Sequence, residues 1–141
     1  MALINVLEHF ADAQAAVYDL AIMALRSGSL PAEWTALIFP PMATPSSEPR
    51  HEFALRSIDQ AEAYLAHPVL GTRYREAVTI LETYPQCTAV EIFGGLGADT
   101  LHSSLTLFAL ATTEPIIRAM LTVWFGGLRH EKTMLALGDD W

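Results

Sequence analysis

The sequence predicts an all-α fold: a single compact orthogonal helical bundle of about six to eight helices. Apolar residues recur every three to four positions along most of the chain, no run alternates with period two, and prolines and glycines divide the chain into helix-length segments. With 141 residues, 52% of them hydrophobic and 17% charged, the chain can bury one sizeable core. Residues 1–141 are therefore expected to form one domain.

Two helices are predicted within the first 40 residues. Apolar side chains recur at helical spacing between residues 7 and 25, acidic residues follow the opposite stripe, and Gly28 closes the helix. Ser29 followed by Pro31 is typical of an N-cap with proline in the first turn. A short second helix should therefore begin here and stop before Pro40.

The middle of the chain contains a loop and then two helices that meet at a corner. Residues 40–50 include four prolines and two serines, which predicts the one long loop. Ser57 with Gln60 predicts a capping box for the next helix. Pro68 forces His67 out of helical geometry and opens another helix, which should continue to residue 84.

The C-terminal third is predicted to hold the centre of the bundle. A short helix over 88–93 should end at a turn made by Gly94, Gly95 and Gly97, and the remaining helices are predicted over 98–111, 115–125 and 130–137. Residues 100–128 contain only two charged side chains, Glu114 and Arg118. A helix that is apolar nearly all round belongs in a core or at a subunit interface, so we expect 98–111 to be central.

The charge of the chain excludes two classes of partner. A formal net charge of -8 and scattered cations argue against binding to nucleic acid or to an acidic membrane surface. The longest segments free of formal charge, 34–47 and 100–113, are too short to span a bilayer. The lone Cys87 permits no intrachain disulfide, and no signal peptide is evident, so a soluble cytoplasmic protein is expected.

Three sequence blocks carry a family resemblance. They are AYLAHPVLGTR at 63–73, the IFG turn followed by LHSSLTLF at 101–108, and FGGLRHEKTMLAL at 125–137. The chain resembles the family known as domain of unknown function 1810, whose members are often labelled calpastatin. The resemblance implies a mainly helical fold and names no reaction. It also argues against a calpain inhibitor, since those inhibitors are long disordered chains.

The chain resembles a divergent member of that family. Pro41 stands where the family has Gln after its IFP motif, and residues 43–47 replace a Gly-Leu-Gly-x-Ser segment. Gly97, Ala98 and Thr100 stand at about the places of acidic residues and a Lys. If the family has a polar active site, the resemblance implies that part of it is altered here.

Arg73 is the first candidate for a binding residue. It lies three residues after Leu70 and four before Ala77, on the apolar stripe of its helix. The guanidinium could clamp the carboxylate or phosphate of a ligand, or it could form a structural ion pair or bond to helix-end carbonyls. His67 could act as an acid, a base or a ligand contact, or simply cap a helix end.

Ser103, Ser104 and Trp34 complete the set of candidate ligand-binding residues. Each hydroxyl could contact a ligand, but a serine inside a helix more commonly bonds to a carbonyl one turn earlier. A serine nucleophile lacks a base here, since His102 points about 100 degrees away on the helix. Trp34 could stack on a planar ligand or pack in the core.

No metal site and no cofactor are predicted. Neither an HExxH motif nor paired cysteines occur. Acid and histidine lie three residues apart at His9 and Asp12, at Glu48 and His51, and at Asp99 and His102, and only the second pair has the E-x-x-H order of di-iron bundles.

Two hypotheses for function follow. The sequence favours a non-catalytic binding or protein-interaction module, with an unknown small molecule or protein as partner and self-association through the apolar 100–128 segment. The alternative is an enzyme or sensor that binds a small anionic metabolite in a pocket near His67 and Arg73, with Trp34 and the Ser103 region as walls and the 40–50 loop as a lid.

Overall fold

The chain folds into seven α-helices within residues 3–44, 53–84 and 89–138, which are the residues that the computed structural model describes. They are α1 (Leu3–Arg26), α2 (Ala32–Ile38), α3 (Ile58–Ala66), α4 (Pro68–Leu81), α5 (Ala89–Ala111), α6 (Pro115–Phe125) and α7 (Glu131–Ala136). These ranges contain no β-strand. The predicted all-α bundle of six to eight helices is confirmed, and none of the helices has the length and hydropathy needed to cross a bilayer.

Helix α5 lies at the centre of the bundle and contacts α2, α3, α6 and α7. All residues from 103 to 108 are buried, and Leu101 and Leu105 are fully inaccessible. The scarcity of charge in this region is therefore explained by the core. Within 100–128 the large apolar side chains left exposed are Val123 and Leu128, so the predicted self-association would have to use them.

The predicted glycine turn before the central helix is much shorter than expected. Gly94 leaves the helical region, with φ 74° and ψ 172°, and the helix resumes at once through Gly95 to Gly97. Gly97 is a packing residue, since a Cβ there would lie 3.0 Å from the Phe93 Cβ and 3.3 Å from the Thr35 Oγ1. The predicted boundary at residue 98 is wrong because one left-handed glycine suffices for the kink.

Two other predicted boundaries also differ. Helix α2 has Pro31 at its N-cap without a side-chain hydrogen bond, so Ser29 does not cap it. Instead the Leu30 N–H donates to the Ile92 carbonyl at 2.8 Å, which ties the turn before α2 to α5. Helix α4 ends at Leu81 rather than near residue 84, because the chain changes there to tighter i→i−3 hydrogen bonds.

The corner between α3 and α4 is formed as the sequence predicts. The Ser57 hydroxyl accepts from the Gln60 N–H at the start of α3, and His67 is extended between the two helices. Gly71 sits where α4 crosses the end of α3. A Cβ at this position would lie 2.1 Å from the Leu65 carbonyl oxygen, so no larger side chain fits.

The predicted long loop starts and finishes side by side. Met42 and Leu55 form a parallel β-bridge, in which the Ala43 N–H donates to the Leu55 carbonyl at 2.8 Å and the Leu55 N–H donates to the Pro41 carbonyl at 2.9 Å. Residues 45–50 of the predicted 40–50 lid lie outside the described residues, as does the Glu48 and His51 pair. Cys87 and Trp141 also lie outside them.

Candidate functional site

Arg73 lies partly buried between α4 and α1 and contacts neutral groups. Its Nη1 donates to the Gln14 Oε1 at 3.3 Å, and its Cζ lies 4.9 Å from the centroid of the Tyr18 ring. Among the described residues no carboxylate forms an ion pair with it. The guanidinium is thus held by an amide oxygen and an aromatic ring, and within the described ranges no carboxylate offsets its positive charge at close range.

Gln14 positions this arginine. Its side chain is almost fully buried, and its Nε2 donates to the Leu37 carbonyl at 2.9 Å and to the Tyr64 hydroxyl at 2.7 Å. Both amide protons are therefore used inward, and Oε1 must face Arg73. Sequence reasoning missed this role, although a glutamine on the apolar stripe of α1 was a visible signal.

Arg75 shows what a structural arginine looks like in this fold. Its Nε and Nη2 donate to the two carboxylate oxygens of Glu114 at 2.8 and 2.7 Å, and its Nη1 donates to the Leu65 carbonyl at 3.2 Å. This bidentate bond lowers the pKa of Glu114 and raises that of Arg75. The structural role considered for Arg73 is thus performed by Arg75.

Tyr18 and Glu76 lie beside Arg73. The Tyr18 hydroxyl donates to the Glu76 Oε1, and the Glu76 Oε2 lies 3.9 Å from the Arg26 Nη2. Burial is the main reason that the pKa of Tyr18 is raised, and its bond to the Glu76 carboxylate adds to the effect. Tyr18 therefore stays protonated and acts as a donor.

His67 caps a helix. Its Nδ1 accepts from the Val69 and Leu70 N–H groups at 3.2 Å each, and its Nε2 lies 3.1 Å from the Glu8 Oε2. Because Nδ1 is an acceptor, Nε2 must carry the proton and donate to Glu8. Both nitrogens are engaged, which leaves no free lone pair for acid–base chemistry. His67 and Arg73 face α1, about 9 Å apart along α4.

Ser103 and Ser104 do not bond back to their own helix as expected. The Ser104 hydroxyl bonds to the Tyr74 hydroxyl at 2.9 Å, and the Ser103 hydroxyl bonds to that of Thr133 at 2.6 Å and accepts from the Met42 N–H at 3.0 Å. The expectation of a local bond was wrong because buried partners from other elements are available. Both serines hold elements together across the core.

Ser103 belongs to a continuous hydrogen-bond chain that ends at the surface. The His130 Nδ1 accepts from the Thr133 N–H at 3.3 Å and lies 2.9 Å from its hydroxyl, and the His130 Nε2 lies 2.8 Å from the Asp99 Oδ1. Since Nδ1 accepts, the Thr133 hydroxyl donates to it, the Ser103 hydroxyl donates to Thr133, and Nε2–H donates to Asp99.

This hydrogen-bond network contains the residue types of a serine or threonine hydrolase, but its hydroxyl groups are not accessible to a substrate. Ser103 and Thr133 are 4% and 0% exposed, so neither hydroxyl group can meet a substrate. The neighbouring His102 stacks on Phe125 with centroids 4.1 Å apart, and burial lowers its pKa. Asp99 contacts His130 rather than His102, the residue three positions along. The network caps α7 and fixes Met42.

Trp34 is a packing residue of α2. It is partly exposed and packs against the core, and within the described ranges no hydrogen bond, ion pair or ring contact joins it to the other four candidates. The hydrogen bonds, ion pairs and ring contacts of the described residues therefore do not link the five candidates directly. Arg73 and His67 line the contact between α1 and α4, whereas the serines lie inside.

No three potential metal ligands come together within residues 3–44, 53–84 and 89–138.

Trp124 packs edge-on against Phe93 with centroids 6.2 Å apart, and its buried Nε1 has no hydrogen-bond partner in the part of the chain described. Among the described residues, Arg73, Gln14 and Tyr18 form the candidate ligand-binding site, because the guanidinium is only partly buried and its contacts are to neutral groups.

Comparison with known proteins places the fold and leaves the activity open. Residues 5–137 match a family model described as a protein of unknown function, DUF1810. The crystal structure of the conserved hypothetical protein Rv1873 from Mycobacterium tuberculosis is similar, with a TM-score of 0.86 and 33% sequence identity over 94% of this chain and 96% of that one. No curated protein matches the sequence.

Proposed function

The chain belongs to the DUF1810 family of unknown function, and from the geometry of its candidate site we propose that it is a non-catalytic binding module. Its ligand is a small molecule with a carboxylate or phosphate group, which Arg73 binds. The observation that carries the proposal is that the partly buried guanidinium of Arg73 has neutral partners, Gln14 and Tyr18.

Pre-organisation supports this function. Gln14 is fixed by two buried hydrogen bonds, and the Tyr18 ring supports the guanidinium, so little rotamer entropy remains to be lost when an anion binds. The Nη1 atom is used by Gln14, which leaves the edge formed by Nε and Nη2 for two parallel hydrogen bonds to an anion.

A non-catalytic role is favoured by the state of the nucleophile candidates. The hydroxyl groups of Ser103 and Thr133 are buried, and the ring nitrogens of His67 and His130 are used in caps and carboxylate contacts. An enzyme or sensor acting on an anionic metabolite would share the Arg73 contact, and binding is the part of that alternative that these contacts support.

The test measures thermal unfolding of the protein at increasing concentrations of inorganic phosphate or of acetate. The wild type should be stabilised by at least one of them, by about 2.7 kcal/mol at 100 times the dissociation constant. Arg73→Ala should lose the effect. Arg118→Ala removes an exposed arginine that contacts the Thr112 carbonyl and serves as the matched control. An equal response of all three proteins would refute the proposal.

A further inference from the structure

Arg73 and Glu76 form a pair of opposite charges that do not neutralise each other. They lie three residues apart on α4 and therefore share a face of the helix. Among the described residues, no ion pair within 4.0 Å joins them. The Glu76 side chain is 46% exposed, so its carboxylate is open to solvent.

Tyr18 keeps the two charges apart. Its ring lies 4.9 Å from the Arg73 Cζ, while its hydroxyl donates to the Glu76 Oε1. Gln14 also holds the guanidinium, since the Arg73 Nη1 donates to its Oε1 at 3.3 Å. The Arg26 Nη2 lies 3.9 Å from the Glu76 Oε2, at the limit of an ion pair, and its side chain is 59% exposed. A bound cation can therefore displace it at little cost.

From this arrangement we infer that the ligand carries both charges, as an α-amino acid does, with its carboxylate on Arg73 and its ammonium group on Glu76. This inference rests on the proposed function and narrows it. A phosphate dianion bound to Arg73 would lie near the Glu76 carboxylate and be repelled by it. A carboxylate with a neighbouring ammonium group satisfies both side chains at once.

The experiment compares L-alanine with compounds that lack one of its charges. Binding of L-alanine, propionate, L-alaninamide and inorganic phosphate to the full chain is measured by calorimetry at pH 7. L-alanine should bind at least tenfold more tightly than propionate or L-alaninamide. Propionate lacks the ammonium group and L-alaninamide lacks the carboxylate, so each tests one of the two contacts.

Two variants separate this inference from the proposed function. Glu76→Gln keeps an acceptor for Tyr18 but removes the charge, so it should reduce the preference for L-alanine over propionate to less than about twofold, whereas Arg73→Ala should abolish binding of both. Glu82→Gln, an exposed acid beyond the end of α4, is the control and should bind as the wild type does.

The remaining outcomes are also decisive. Propionate or phosphate binding that depends on Arg73 but is no weaker than L-alanine binding overturns the amino-acid inference and leaves the anion-binding function standing. Failure of all four compounds to bind overturns both.

Discussion

Arg73 and Arg75 lie two positions apart on α4 and have opposite environments. Arg75 is neutralised by a bidentate bond to Glu114, whereas Arg73 rests on an amide and an aromatic ring. The first arrangement neutralises the guanidinium, and the second leaves it without a carboxylate partner among the described residues. At the scale of single residues, the partner rather than the residue type decides the role.

Tyr74 and Ser104 are coupled through a buried hydrogen bond between α4 and α5. Burial raises the pKa of Tyr74, which remains a neutral hydroxyl, and its ring stacks on Phe108 with centroids 4.1 Å apart. Tyr74→Phe keeps the stacking but leaves the Ser104 hydroxyl unpaired, so unfolding in urea should show a loss of about 1–2 kcal/mol.

A double-mutant cycle checks that coupling. Once Tyr74 is replaced by Phe, Ser104→Ala should cost less than it does in the wild type, because no partner is left unsatisfied. Strictly additive losses would show that the two hydroxyl groups do not interact.

Gly71 sets how closely α3 and α4 can approach each other. A Cβ there would lie 2.1 Å from the Leu65 carbonyl oxygen and 2.8 Å from the Arg75 Nη1. Gly71→Ala should therefore force the two helices apart and destabilise the protein by about 3 kcal/mol, measured by urea unfolding.

Gly95 offers the matched control on another helix. A Cβ at Gly95 would meet no described atom within 4 Å, so Gly95→Ala should cause no loss of stability and could add up to about 1 kcal/mol through helix propensity. Equal effects of the two substitutions would contradict the close-packing explanation.

The Arg75–Glu114 pair joins α4 to the start of α6 and makes this contact sensitive to pH. Because the folded pKa of Glu114 is depressed by Arg75, its contribution is complete above the ordinary value of 4.5 and is lost as the pH falls through the lowered folded value. Glu114→Gln should cost about 1 kcal/mol at pH 7, a figure reduced for partial exposure.

The test is chemical unfolding of the wild type and Glu114→Gln over a range of pH. The difference between the two proteins in free energy of unfolding should disappear as the pH falls below 4.5. If the difference in free energy of unfolding stays constant down to pH 3, Glu114 does not stabilise the fold through its ion pair with Arg75.

Local pattern predicted most of the elements but not the contacts between them. The capping box at Ser57 and the proline at residue 68 fix α3 and α4 through their own neighbours, so sequence suffices there. The kink in α5 forms because Gly94 alone leaves the helical region. The sequence has three glycines close together there and does not show which of them forms the kink. Gln14 bonds to groups 23 and 50 residues away, so its role depends on tertiary packing.

The whole molecule carries a formal net charge of -8, and its described ion pairs lie at or near the surface. Self-repulsion should therefore outweigh these pairs. Raising sodium chloride to about 0.15 M, where the Debye length is about 8 Å, should raise the thermal midpoint by a few degrees.

The Arg73→Ala variant should show the same rise, which separates charge screening from anion binding at that residue. A midpoint that falls with salt would mean that the ion pairs dominate the electrostatics of the fold.

The bridge between Met42 and Leu55 gives the chain a place where length can change. The two ends of the intervening segment are joined by backbone hydrogen bonds, and the Ser103 hydroxyl of α5 accepts from the Met42 N–H. Just before the bridge, the Phe53 ring stacks on His9 of α1 with centroids 4.8 Å apart, so the second end is held by side chains as well. Doubling that segment costs only about 0.6 kcal/mol of closure entropy. A reporter peptide inserted between Thr44 and Phe53 should therefore lower the free energy of unfolding, measured in urea, by less than about 1 kcal/mol.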